Sequence, residues 1–416
     1  MEDYIPRIVD SEIGEGLATS GALVLRGPRA VGKTESARRY ASSELRLDGG
    51  DPMAVLAREQ PSTALGGAVP RLLDEWQFAP GLWNEVRHEV DRRREPGQFI
   101  LSGSAVPSET EVMHSGAGRF RQMRMRTMSF VETGDSTGEV SLRALLAGGD
   151  IPVVQASTDF KGVIERIVVG GWPGWLHVTE STARNRAASY LEDISEHDFV
   201  QVAGSRRDPR RFSAFLRALA ALSAQPASLA AASRRMREDF NVGVSEGALP
   251  ELHAFADRLF LTEDQPAWSP QLRSGSAAVQ TPKRHLADPS LAASLLGVGV
   301  DRLLIEPETL GFLLESQVVH DLRVYAQAAG ARGVFHYRDV KGRDEIDAVV
   351  EASDGSWIAC EVKLGLGAVD DAAVNLLRVT QKMQRPPSAC LIIVPSGVAH
   401  RRNDGVYVAP LTTLGP

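Results

Sequence analysis

Residues 27–34 read GPRAVGKT, which satisfies G-x-x-x-x-G-K-[ST] in full, and that spacing is suited to wrapping a polyphosphate. Gly27 and Gly32 free the backbone of Pro28, Arg29, Ala30 and Val31 to curl around a β-phosphate, Lys33 reaches the β- and γ-phosphates, and Thr34 offers a hydroxyl to Mg²⁺. The run RLLDE then ends in two acids. Asp74 is expected to hold the Mg²⁺ shell and Glu75 to polarise an attacking water, so the expected ligands are ATP and Mg²⁺. A third apolar run, QFILSGSA, ends in hydroxyls at the height where a γ-phosphate or its water would lie; Ser102 is the candidate and Ser104 the reserve. Arg119, in GAGRF, is a candidate to neutralise transition-state charge in its own subunit or in a neighbour's, or else is an ordinary surface arginine.

A second set of groups lies near the C-terminus. Asp347, in DEIDAVVEA, and Glu361 and Lys363, in WIACEVKL, form an acid on one strand and E-x-K on the next. Two carboxylates can bind Mg²⁺ while a lysine steadies a water or a developing charge. The turn decides whether they meet. If Ser353, Asp354 and Gly355 form a three-residue loop with Gly355 left-handed, Ala352 faces Ser356 and Asp347 falls opposite Glu361. A two-residue turn would pair Asp347 with Val362 and separate the carboxylates. An ordinary acid–lysine surface pair would leave the same pattern. His336 and Arg338, in HYRD, suit either a structural role or a phosphate contact.

These groups need elements to hold them. Between Ala22 and Val131 short apolar runs (ALVLRG, RLLDEW, FILSGS) alternate with amphipathic stretches, the pattern of an α/β domain with a mainly parallel sheet. The expected division is 1–133 for the phosphate-binding domain, 134–225 for a helical lid or linker, 226–300 for a winged-helix-like region and 301–416 for a second α/β domain. In the last, a helix from about Thr309 to Ala328 precedes three β-rich segments. With 416 residues the chain exceeds a single core. Its 43% apolar and 24% charged residues are those of a globular protein. The net charge of −7 argues against indiscriminate coating of nucleic acid but leaves local arginine clusters open, around 119–126, 206–211 and 234–237. Acids in MEDYIPRIVD and the lack of an apolar run after it lead us to expect a cytoplasmic protein. Cys360 and Cys390, both in strand-like runs, read as small core residues.

GPRAVGKT, LLDEWQFAPGLW, FILSGSA, HSGAGRF with MSFVE, GGWPGW and the HYRD…EID…EVK block together resemble a family of prokaryotic AAA-type ATPases with a large C-terminal region of unknown function. The resemblance implies an AAA-like ATPase core, a helical and winged-helix middle, and an end that looks like a restriction-endonuclease fold. It also implies that Glu315, in FLLESQVVHD, joins Asp347 and Glu361 as a metal ligand, and that subunits assemble into a homo-oligomer. Two readings follow: an ATP-dependent, DNA-directed enzyme with a Mg²⁺-dependent nuclease-like domain, or a nucleotide-gated switch whose last domain binds nucleic acid or protein without cutting. A small-molecule kinase is disfavoured by the acidic pair at Asp74 and Glu75.

Overall fold

A computed structural model describes residues 4–103, 116–199, 208–245, 247–270, 280–339 and 341–416. Ser104 and the 206–207 part of one arginine cluster lie outside them. The chain divides into two compact units, one comprising residues 1–127 with 258–260, the other residues 128–257 with 261–416.

In the first unit the elements are α1 (Val9–Thr19), β1 (Ala22–Arg26), α2 (Lys33–Arg38), β2 (Ser43–Arg46), α3 (Pro52–Glu59), β3 (Arg71–Asp74), α4 (Leu82–Arg93), β4 (Phe99–Gly103) and β5 (Phe120–Arg124). The five strands form one parallel sheet in the order β2-β3-β4-β1-β5. Residues of β1, β3 and β4 are buried almost without interruption because both faces of the sheet are covered. Strand alternation sorts them. Ala22, Val24, Leu73, Phe99 and Leu101 pack with Trp76, Trp83 and Val86, while Leu23, Leu25, Leu72 and Ile100 pack with Ile13, Leu17 and Ala37 from α1 and α2. By the same period of two, Asp74 and Ser102 share the face of Leu72 and Ile100, the one that α2 covers.

The second unit begins with a helical part: α5 (Phe130–Thr133), α6 (Leu142–Leu146), α7 (Phe160–Val169), α8 (Glu180–Asp193), α9 (Pro209–Ala220), α10 (Leu229–Phe240), α11 (Ala248–Arg258), α12 (Pro289–Leu296) and α13 (Val300–Leu304). The GGWPGW loop clamps it. Gly171 N–H donates to Asp288 Oδ2 at 3.0 Å, its carbonyl accepts from Met128 N–H at 2.7 Å, and Trp172 Nε1 donates to Ser290 Oγ at 3.1 Å. Between α11 and α12, short bridges pair Thr262 with Leu286 and Gln265 with Lys283 in antiparallel fashion, and Pro226 also pairs with Lys283.

The long helix α14 (Pro307–Ala328) follows, then β8 (Gly333–Arg338), β9 (Glu345–Glu351), β10 (Trp357–Val362), α15 (Val369–Thr380), β11 (Ala389–Val394), β12 (Val398–Arg401) and β13 (Tyr407–Pro410). β8, β9 and β10 are antiparallel neighbours, and β11 adds in parallel beyond β10. With β7 (Val154–Gln155) at the far edge the sheet has seven strands, in the order β7-β12-β13-β11-β10-β9-β8. β14 (Leu414–Gly415) pairs with β6 (Val140–Ser141), which ties residues 414–415 to the start of this unit. Cys360 and Cys390 are buried free thiols. No helix among the described residues is long and apolar enough to cross a membrane.

Candidate functional site

Parallel strands bring their C-terminal ends to one edge, and the loop after β1 turns there into α2. In the loop, Gly27 passes so close to β5 that a Cβ would lie 2.1 Å from the carbonyl oxygen of Met125. Any side chain at Gly27 would therefore displace the loop from the sheet. Ala30 takes a left-handed conformation (φ 63°), and Val31 is buried beneath the curl. Lys33, the first residue of α2, folds back over its own loop and donates to the carbonyls of Gly27 (3.0 Å) and Pro28 (2.6 Å). Burial pushes its ammonium down to about 8, with Glu75 and Asp74 opposing the shift.

Thr34 Oγ1 donates to the Asp74 carboxylate, at 3.0 Å from Oδ1 and 3.1 Å from Oδ2. A hydroxyl and a carboxylate already in contact, on α2 and β3, form an oxygen-only pair that suits Mg²⁺. The residues fit that ion. Glu75 leaves the strand in a left-handed conformation (φ 52°, ψ 45°), which turns its side chain out of the strand's alternation. Gln77 Nε2 then donates to Glu75 Oε2 at 2.5 Å, holding the carboxylate. Sequence reasoning missed Gln77, although its place two residues after the acid was open to inspection.

Ser102 lies in register with Asp74 on one side and Leu25 on the other, because β4 is inserted between β3 and β1. Its hydroxyl is buried and has no hydrogen-bond partner among the described residues. Arg119 is placed elsewhere. It precedes β5 beside Ala22, at the N-terminal end of the sheet, with its carbonyl accepting from Ala22 N–H. Five strand residues, roughly 16 Å, separate it from the phosphate loop. Its guanidinium pairs with Asp91 at 2.9 Å. The topology thus sets Arg119 away from the phosphate loop of its own chain, and its exposed pair with Asp91 is one that an ordinary surface arginine makes.

The C-terminal hairpin adopts the three-residue loop. Ala352 N–H donates to Ser356, Gly355 has φ 81°, and the ladder pairs Glu351 with Trp357 through to Ala348 with Cys360. Continued by one step, it sets Asp347 against Glu361. Asp347 Oδ2 accepts from the Val362 N–H at 2.9 Å, and Lys363 Nζ lies 2.8 Å from Glu361 Oε1.

A lysine stands among these acids. Lys283 Nζ lies 2.7 Å from Glu315 Oε1, 3.2 Å from Glu345 Oε1 and 3.3 Å from Asp347 Oδ1. The space in which those carboxylates converge holds an ammonium. Among the described residues no group of three His, Cys, Asp or Glu side chains is placed to hold a metal. Two of the expected metal ligands, Glu315 and Asp347, thus meet a cation that carried no signal in the sequence. Lys283 lies in TPKRHL, 32 and 64 positions from Glu315 and Asp347, and no local pattern links such distant residues. Burial alone would lower the Lys283 ammonium, but Asp347, Glu315 and Glu345 outweigh it and hold it above its ordinary value. Burial, reinforced by Asp347 and opposed by Lys283, pushes Glu315 up to about 8. Glu361 is pushed to about 7 by burial and Asp347, with Lys363 opposing.

Comparison with known proteins matches residues 19–134 to an AAA domain model. Residues 161–302 and 310–414 match two domains of unknown function, DUF8612 and DUF4143. An uncharacterized protein of Mycobacterium tuberculosis is 26% identical over 348 residues, which are 82% of this chain and 70% of that protein. One of Mycobacterium bovis matches with the same identity and coverage. The Walker-type ATPase of Pyrococcus abyssi overlays at a TM-score of 0.44 and 17% identity, over 71% of this chain and 97% of its own. The AAA match spans the phosphate loop, the acidic pair and β4. With the geometry above, it supports an AAA-type P-loop core for nucleotide binding and hydrolysis.

Proposed function

We propose that this chain is an ATP-hydrolysing switch directed at DNA, whose nuclease-like C-terminal domain engages nucleic acid under control of the nucleotide state. The observation that carries the ATPase reading is the Thr34 to Asp74 hydrogen bond beside the folded-back Lys33. A loop, a lysine and a hydroxyl from residues 27–34 meet an acid 40 positions beyond Thr34 at one sheet edge. When bound, Mg²⁺ supplies charge neutralisation at the phosphates, and Thr34 and Asp74 are the residues to hold it. Lys33 then exchanges its two carbonyl partners for phosphate oxygens. Glu75 accepts a proton from the attacking water, with its carboxylate oriented by Gln77. Ser102 offers an unspent hydroxyl beside Asp74. Arg119 completes a neighbouring subunit's site.

The nuclease-like reading of the end is supported by α14, three antiparallel strands, α15 and a parallel β11, with Asp347 and Glu361 on adjoining strands. Between cutting and binding, the Lys283 contact favours binding. ATP turnover measured without DNA and with single-stranded, double-stranded and branched DNA tests the proposal. Stimulation of several-fold by at least one form is expected. Equal turnover in all four would remove DNA from the reading.

Lys33 also gives the nucleotide site a pH dependence. Above about pH 8 the free protein holds a neutral, buried Lys33, whereas polyphosphate oxygens favour the ammonium. Binding above that pH must take up a proton, and affinity falls by up to about tenfold per pH unit. Calorimetry at pH 9 in two buffers of different ionisation enthalpy should show uptake approaching one proton, and at pH 7 almost none. Equal heats in both buffers at pH 9 would mean that Lys33 is not the linked group.

A further inference from the structure

Lys283 enters the acidic cluster from the short bridged segment that precedes α12, within the same compact unit. Its backbone is fixed on both sides: its N–H donates to Gln265 at 3.0 Å, and its carbonyl accepts from Gln265 N–H at 2.9 Å. Gln265 is in turn stapled to the sheet, because its Nε2 donates to the carbonyls of Phe335 (2.9 Å) and Asp347 (3.0 Å). His336 N–H donates to Pro266, and Trp268 N–H donates to His336, so this short hairpin runs along the β8 edge. The lysine therefore has little freedom to withdraw. Its side chain is only 2% exposed.

An ammonium has three N–H donors and no acceptor. Three carboxylates, one on α14 and two on β9, stand within 2.7–3.3 Å of Nζ, with Glu315 and Asp347 accepting hydrogen bonds and Glu345 as a further ion-pair partner. Mg²⁺ needs oxygens at about 2.0–2.1 Å in near-octahedral order, a shell that those same oxygens cannot form around an ion while a cation lies among them. One further group points to what the pocket would otherwise take. Glu361 is 8% exposed, and its Oε2 is buried with no hydrogen-bond partner among the described residues. That oxygen is an unused acceptor at the edge of the cluster.

We propose that the Lys283 ammonium is the resident cation of the cluster formed by Glu315, Glu345 and Asp347, and that its removal turns the cluster into a divalent-metal site completed by Glu361. In the wild-type chain the cluster is thus a metal-free, lysine-neutralised site. The inference is independent of the ATPase reading, because none of its residues belongs to the phosphate loop.

The test counts Mn²⁺ bound by the full chain, without nucleotide, by calorimetry and by the loss of the free-ion paramagnetic resonance signal. Four proteins are compared: wild type, Asp347→Asn, Lys283→Ala, and Lys283→Ala with Asp347→Asn. Wild type and Asp347→Asn should bind equal Mn²⁺, any shared background coming from other sites. Lys283→Ala should gain one Mn²⁺ per chain, and the added Asp347→Asn should lose it again. A wild-type Mn²⁺ site that disappears in Asp347→Asn would overturn the proposal, and this comparison does not require Lys283→Ala to fold. A folded Lys283→Ala, judged by its circular dichroism and melting curve, that gains no Mn²⁺ would overturn it equally.

Discussion

Glu75→Gln is expected to keep ATP bound while slowing its hydrolysis by about a hundredfold or more, the scale of a lost general base. The substitution changes charge and basicity but almost no volume. The side-chain oxygen that accepts from Gln77 Nε2 has an amide counterpart, so the turn after β3 has no reason to rearrange. Lys33, Thr34 and Asp74, which meet the phosphates and Mg²⁺, are untouched. Single-turnover hydrolysis of labelled ATP, with affinity measured in parallel by a fluorescent analogue, separates chemistry from binding. Loss of binding together with hydrolysis would move Glu75 into the metal shell or into a structural role. Unchanged hydrolysis would remove it from the reaction.

Lys33→Ala is expected to abolish turnover and to weaken ATP binding severely. Removing one preorganised charge at a developing phosphate anion costs on the order of a hundred- to a thousandfold in rate, and here the same charge also holds the ground-state phosphates. In the free protein, by contrast, the change removes a buried ammonium whose charge burial opposes. The two carbonyls it leaves, on Gly27 and Pro28, are buried and lose their donor, which offsets that relief. Melting temperature should therefore change little while nucleotide-induced stabilisation disappears. A thermal-shift series with and without ATP and Mg²⁺ reads both. A variant with intact turnover would end the phosphate-loop assignment.

How far the site was legible depended on how local its parts are. GPRAVGKT needs only eight consecutive residues, because a single turn between strand and helix builds the whole cradle. Asp74 and Glu75 were readable as the end of an apolar run, and strand alternation carried Asp74 to the face of α2. The hairpin at Ser353–Gly355 was readable for the same reason: one left-handed glycine sets the register of everything it joins. Arg119 was readable as a candidate for charge neutralisation, but its place in the fold was not. Its distance from the loop depends on β5 running parallel beside β1, and strand order follows from packing across the sheet rather than from any residue near Arg119.

By itself, then, the sequence determined the phosphate loop, the acidic pair, the alternating α/β texture and the turn that sets Asp347 against Glu361. These are all interactions between residues within a turn, a strand or a hairpin, where backbone geometry converts spacing directly into position. The tertiary structure alone decided that β4 is inserted between β3 and β1, which sets Ser102 beside Asp74. It alone decided that Gln77 holds Glu75 and that Lys283 fills the acidic cluster. A carboxylate reads the same in sequence whether a metal or an ammonium neutralises it. Only the fold brings Lys283 across 64 positions to Asp347, and burial then makes a charge partner obligatory without specifying from the sequence which cation it is.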